Sequence, residues 1–82
     1  STKNVLESIY ELVSTLNEWD QDHLEKSLRQ LAEHLEIKTG QLFGTIRVAI
    51  TGRTAAPPLF DTMNVLGQQR CTKRIYEALK SI

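Results

Sequence analysis

What this chain lacks narrows its function before any motif is read. Its single cysteine, Cys71, excludes an internal disulfide and fits a reducing, cytosolic setting. No stretch approaches the ~20 apolar residues that span a bilayer, and the opening Ser1-Thr2-Lys3-Asn4-Val5 has no signal-peptide pattern, so no membrane partner is expected. The sequence does not open on Met and is read as starting inside a longer parent. Neither a Walker-type loop nor a Gly-x-Gly-x-x-Gly is present. His23 and His34 stand eleven apart with no cysteine nearby, which is not a metal-ligand pattern; both are expected on the solvated side of a helix. Cys71 falls on an apolar stripe with no base in reach, so no nucleophile can be nominated. Eighty-two residues make one small domain with little free energy to spare and no room for a deep catalytic cleft.

Charge is balanced overall, with ten Lys and Arg against ten Asp and Glu, which argues against a general nucleic-acid binder. The balance hides an asymmetry. Residues 1–37 carry Lys3, Lys26 and Arg29 against eight acidic residues, and residues 38–82 carry Lys38, Arg47, Arg53, Arg70, Lys73, Arg74 and Lys80 against Asp61 and Glu77 alone. A polyanionic partner is therefore expected on the second half.

The apolar pattern has helical period throughout, predicting an all-α bundle or superhelix of about five short helices. Val5, Ile9, Leu12, Val13 and Leu16 mark the first, with Asn4 as its expected cap. Asp20 caps the second, in which Leu24, Leu28, Leu31 and Leu35 form the stripe, and Trp19 and Leu24 occupy the ends of a hydrophobic staple. Thr39 is the expected cap of a third helix burying Leu42, Phe43, Ile46, Ala49 and Ile50. The β-branched run from Ile46 to Thr51 would also suit a strand, but no partner strand exists and helix is preferred. Gly40 and Gly44 weaken this helix, and Gly44 suggests close approach by a backbone or ligand; Gly52 ends it. Pro57-Pro58 is placed in the first turn of a fourth helix, lined by Leu59, Met63 and Leu66 and closed by Gly67. A fifth, from about Gln69, is expected to bury Cys71, Ile75, Ala78, Leu79 and Ile82.

Chemistry that could recognise a ligand collects between Ile46 and Phe60. Arg47 is either a surface arginine covering apolar neighbours with its stem or a guanidinium placed to stack on a base and donate paired hydrogen bonds. Arg53, past the helix end, suits a phosphate. Ala55-Ala56-Pro57-Pro58-Leu59-Phe60 is either a plain helix start or a stiff, sterically open loop leading to free helix N–H groups. Arg70, Lys73, Arg74 and Lys80 are a solvated face or a backbone grip. RNA binding and a structural role stay open on the residues alone.

The ordered series Thr39-Gly40-Gln41-Leu42-Phe43, Ile46-Arg47-Val48-Ala49-Ile50-Thr51-Gly52-Arg53, Pro57-Pro58-Leu59-Phe60 and Leu66-Gly67 resembles the C-terminal anticodon-binding domain of bacterial-type glutamyl-tRNA synthetases, with the match running over residues 38–79. The resemblance implies a superhelical all-α module that reads the anticodon loop of glutamate tRNA. It implies that Arg47 contacts anticodon bases, and that Ala56, Pro57, Leu59 and Phe60 lie on the loop reading the middle and third bases. Arg53, Arg70, Lys73 and Arg74 remain candidates for phosphates. Two departures stand out. Ala56 replaces a hydroxyl residue found in some members, leaving main-chain contacts there, and Gln68-Gln69 replaces a Lys-Glu pair, which would soften phosphate contacts. The resemblance further implies a cytoplasmic class I parent that uses ATP and Mg to attach glutamate to tRNA, with catalytic and helical domains beside this one. The chain itself would bind tRNA, not DNA or a membrane, with no cofactor or metal of its own. The rival reading is a helical protein–protein adaptor, which needs an exposed apolar patch on the first two helices.

Overall fold

Five helices account for most of the computed structural model, which describes residues 1–53 and 58–82: α1 Thr2–Thr15, α2 Gln21–His34, α3 Thr39–Thr51, α4 Leu59–Leu66 and α5 Gln68–Lys80. The all-α expectation holds, and no strand occurs among the described residues. The run at Ile46–Thr51 is helical because period 3.6, not period 2, puts Leu42, Ile46 and Ile50 together in the core. α5 packs against α1, α3 and α4, while α2 closes the other side against α3 and α4. The result is a near-isometric bundle of 28 × 25 × 24 Å.

The core collects buried side chains from every helix: Leu6, Ile9 and Val13 of α1, Leu24, Leu28 and Ala32 of α2, Leu59 and Met63 of α4, Cys71 and Ile75 of α5, together with the three from α3. Leu6 and Ala32 were not among the expected core residues. Conversely, Val5, Leu12, Leu16, Leu31 and Leu35 pack only at its margin, because each stripe is rotated toward the neighbour that covers it best. Ile82 is a correction: it lies beyond α5 and is 60% exposed.

Helix ends show where local chemistry was read correctly and where it was not. Asp20 caps α2 by accepting from the His23 N–H at 2.9 Å. That bond stabilises the carboxylate and holds Asp20 below its ordinary pKa. Asn4 is not the cap of α1; Ser1 is, its hydroxyl accepting from the Asn4 N–H. Thr39 is the first residue of α3, after an N-cap Lys38 whose side chain makes no capping bond. Pro58 is the N-cap of α4 and stands outside its first turn; the placement of Pro57 lies outside the described residues. Gly52 ends α3 in the left-handed region at φ 73°, and Gly67 joins α4 to α5 at φ 84°, ψ 164°, a conformation essentially closed to other residues. α2 ends in a Schellman motif, the Glu36 and Ile37 N–H groups bonding back to the Glu33 and Ala32 carbonyls, with Glu36 at φ 58° where glycine is usual.

Long-range polar bonds orient the helices. Trp19 Nε1 donates to the Met63 carbonyl at 3.0 Å, tying the α1–α2 connection to α4, and Gln21 donates to Asp61 from the start of α2. Gln68 Nε2 donates to the Val13 and Leu16 carbonyls at 2.8 and 2.9 Å, satisfying acceptors that the end of α1 leaves open. Gln68, where the resemblance implies a lysine, thus serves as a helix cap.

Gly44 does not owe its presence to close packing within the chain. A Cβ built there meets nothing within 4 Å. Gly44→Ala is accordingly expected to stabilise the chain by about 1 kcal/mol through helix propensity, raising the thermal midpoint by roughly 4–8 °C in a circular-dichroism melt.

Candidate nucleic-acid interface

Of the residues singled out between Ile46 and Phe60, Arg47 lies on α3, Arg53 just past its end and Phe60 on α4. Ile46 and Ile50 anchor one side of that helix in the core, which turns Arg47 toward its margin, half-buried. Phe43 stands one turn before Arg47, on the same side of α3. Its ring meets Phe60 of α4 edge-on, centroids 5.2 Å apart at 84°, in the arrangement aromatic quadrupoles favour. The Arg29 guanidinium of α2 lies 5.6 Å from the Phe43 centroid, with Nε held by Glu25 at 2.9 Å. Arg29, Phe43 and Phe60 thus bring three helices together in one surface of two aromatic rings and a guanidinium, with Arg47 one turn along α3 from Phe43. Such surfaces take up unstacked bases by stacking, and arginine adds in-plane donors.

The end of α3 is braced against its neighbours. Thr51 Oγ1 donates to the Arg47 carbonyl at 2.6 Å and accepts from the Arg53 N–H at 3.1 Å, fixing the chain as it leaves the helix. Arg74 of α5 donates from Nη1 to the Ile50 carbonyl at 2.7 Å, a cation at a helix C-terminus where the dipole favours one. Arg74, expected to contact phosphate, is therefore first a cap for α3, with the rest of the side chain exposed. Arg70 lies one turn earlier on α5, exposed like Arg53. Among the described residues the ion pairs are those of His23 with Glu18 and Asp20 and of Arg29 with Glu25. Arg47, Arg53, Arg70 and Arg74 carry their charge without a carboxylate partner there, so a polyanion meets little competition.

Two expected residues play other parts. Leu59 is core, 3% exposed, so only its main chain can face a ligand; Phe60 beside it is half-buried and available at its ring edge. Lys73 lines a separate groove between α1 and α5 with Tyr10, Gln69 and Tyr76, so the basic residues of α5 divide between two surfaces. Ala56 and Pro57 lie outside the described residues. Sequence reasoning missed Arg29 and Phe43: Arg29 belongs to the acidic half, and Phe43 has helical spacing that reads as core.

Catalytic chemistry finds no support in the other titratable groups. Burial raises the Cys71 thiol to about 11, so it stays protonated, and its Sγ lies 3.8 Å from the Met63 carbonyl. His23 sits between Glu18 and Asp20, all three exposed, and serves the start of α2.

The α3 surface thus combines edge-on aromatics with an arginine that has no carboxylate partner among the described residues, at a braced helix end. A family model described as "Anticodon binding domain" matches residues 1–79. The chain belongs to that family. It is similar to the glutamate–tRNA ligase of Roseiflexus sp. (strain RS-1), at 50% identity over 78 residues, covering 95% of this chain and 15% of that protein. It is likewise similar to those of Roseiflexus castenholzii, 47% identical with 96% of this chain and 16% of that protein covered, and Chloroflexus aurantiacus, 44% identical with 99% and 16% covered. This anticodon-binding domain thus spans 15–16% of the length of the relatives it matches.

Proposed function

We propose that the chain reads the anticodon loop of glutamate tRNA, as the C-terminal part of a cytoplasmic class I glutamate–tRNA ligase. The observation that carries this reading is the joint surface of Arg47, Phe43, Phe60 and Arg29, open beside the unpaired Arg53 and Arg70. An unstacked base would stack against the aromatic rings, with the Arg47 fork donating to its Watson–Crick or Hoogsteen edge. Arg53, Arg70 and the free donors of Arg74 would meet the neighbouring phosphates. The main chain of Leu59 and the ring of Phe60 would complete the site. Attachment of glutamate with ATP and Mg would fall to the rest of the ligase, because no nucleophile and base come together among the described residues.

The large apolar side chains most exposed among the described residues are Val48, Val65, Tyr76 and Ile82, none on α1 or α2. The protein–protein adaptor reading therefore lacks the patch it requires. The test is binding of a glutamate-tRNA anticodon stem-loop across a salt series. Three or four neutralised phosphates predict that log Kd rises with log salt at a slope of about 2–3, taking the single-strand coefficient. A salt-independent interaction, or equal affinity for an unstructured RNA of the same length, would count against anticodon reading.

A further inference from the structure

Around α3 from this surface the character changes. A groove of about 540 Å³ runs between α3 and the two ends of the chain, its walls including Thr2, Leu6, Gly40, Gly44, Val48 and Ile82. No charged residue lines it, so a polyanion finds no partner there. Gly40 and Gly44, one turn apart, leave a shallow channel along the helix in which a Cβ would meet nothing within 4 Å. Both weaken α3 relative to alanine, although nothing among the described residues fills the space. Val48 and Ile82 are 47% and 60% exposed, so two of the large exposed apolar side chains converge on this channel.

The position of the chain ends points to the occupant. Thr2 and Ile82 both line the groove, so polypeptide attached at either end emerges beside it. In the relatives the matched stretch is 15–16% of the protein, so most of a ligase is tethered there at high effective concentration. We propose that the groove seats an apolar helix from the remainder of the same ligase polypeptide, packed across the Gly40–Gly44 channel of α3. A helix suits the channel because small residues at this spacing let a second helix bring its ridge close to the backbone. The inference rests on the ligase reading above. It gives α3 two neighbouring strips, Gly40–Gly44–Val48 docked to the ligase and Phe43–Arg47 left for RNA.

The test grafts this chain into the Roseiflexus sp. ligase in place of its matching stretch and compares the chimera with the isolated chain. Val48→Cys and, as a remote control on α4, Val65→Cys (83% exposed in the native chain) are labelled with a maleimide, while the buried Cys71 stays silent. Labelling of Val48→Cys is expected to slow at least tenfold in the chimera, with Val65→Cys changed less than twofold. Equal rates at Val48→Cys in both proteins, or equal slowing at both positions, would overturn the proposal. So would concentration-dependent protection of Val48→Cys in the isolated chain, which would make the occupant a second copy. Hydrogen exchange in the unmodified Roseiflexus ligase gives a readout that needs no graft: the helix aligned with α3 should exchange at least tenfold more slowly than in its excised domain, and equal exchange would contradict docking. Stem-loop binding measured on the same chimera separates failure of the RNA reading from failure of the docking.

Discussion

Arg47→Ala weakens binding of a glutamate-tRNA anticodon stem-loop by about 1–3 kcal/mol, roughly 5- to 150-fold in Kd. The size follows from where the side chain stands. Its helix is fixed by Ile46 and Ile50 in the core and by the Thr51 bond to its own carbonyl, so little backbone order remains to be lost on binding. Its guanidinium has no ion-pair partner among the described residues, so binding breaks no carboxylate contact. Because Arg47 is only half-buried, the variant should melt within a few degrees of the parent, and the loss should appear in affinity alone. Arg47→Lys sharpens the assignment. It keeps the charge but not the planar fork, so it should restore the salt slope while recovering little of the affinity. Isothermal titration of the three proteins at two salt concentrations separates these effects.

Ile46→Ala, one residue away, should do the reverse. Ile46 is fully buried among side chains from the other helices, and truncating such an isoleucine costs about 2–5 kcal/mol through lost transfer energy and the cavity left behind. A domain of this size holds roughly 4–12 kcal/mol in total, so the variant sits near the edge of folding. Urea titration should show a lowered midpoint with an unchanged slope. Binding, corrected for the folded fraction, should match the parent. A large drop in affinity per folded molecule would mean that Ile46 also shapes the surface on which Arg47 stands.

The contrast between these neighbours explains what could be read from the sequence. Helical period identified every helix and most of the core, since Leu24 and Leu28 or Ile46 and Ile50 have nowhere else to go. Asp20 was legible as a cap because Asp, Ser and Thr at helix starts act locally. The choice of Ser1 over Asn4 was not, because either residue could satisfy the same N–H groups. Arg47 is nominated by its place in a motif, a role that the stem-loop titration above tests. Arg29 was not legible: its role depends on α2 crossing α3 at Phe43, a long-range fact that periodicity does not carry. Leu59 and Arg74 show the same limit from the other side. The resemblance puts both at the ligand; packing keeps the Leu59 side chain in the core, where its helical spacing already put it, and gives one donor of Arg74 to the Ile50 carbonyl. Gln68 looked like a lost positive charge, yet the fold uses its amide to close α1.

The central claim is that bases are read on the α3–α4 side of the bundle. Chemical-shift mapping of the isotope-labelled chain titrated with the glutamate-tRNA anticodon stem-loop tests it most directly. The account predicts the largest shifts at Phe43, Arg47, Thr51, Gly52, Arg53 and Phe60, smaller ones at Arg29 and Arg70, and none at Val48 or Ile82. Shifts confined to residues 1–37, or centred on the Gly40–Gly44 channel, would contradict it.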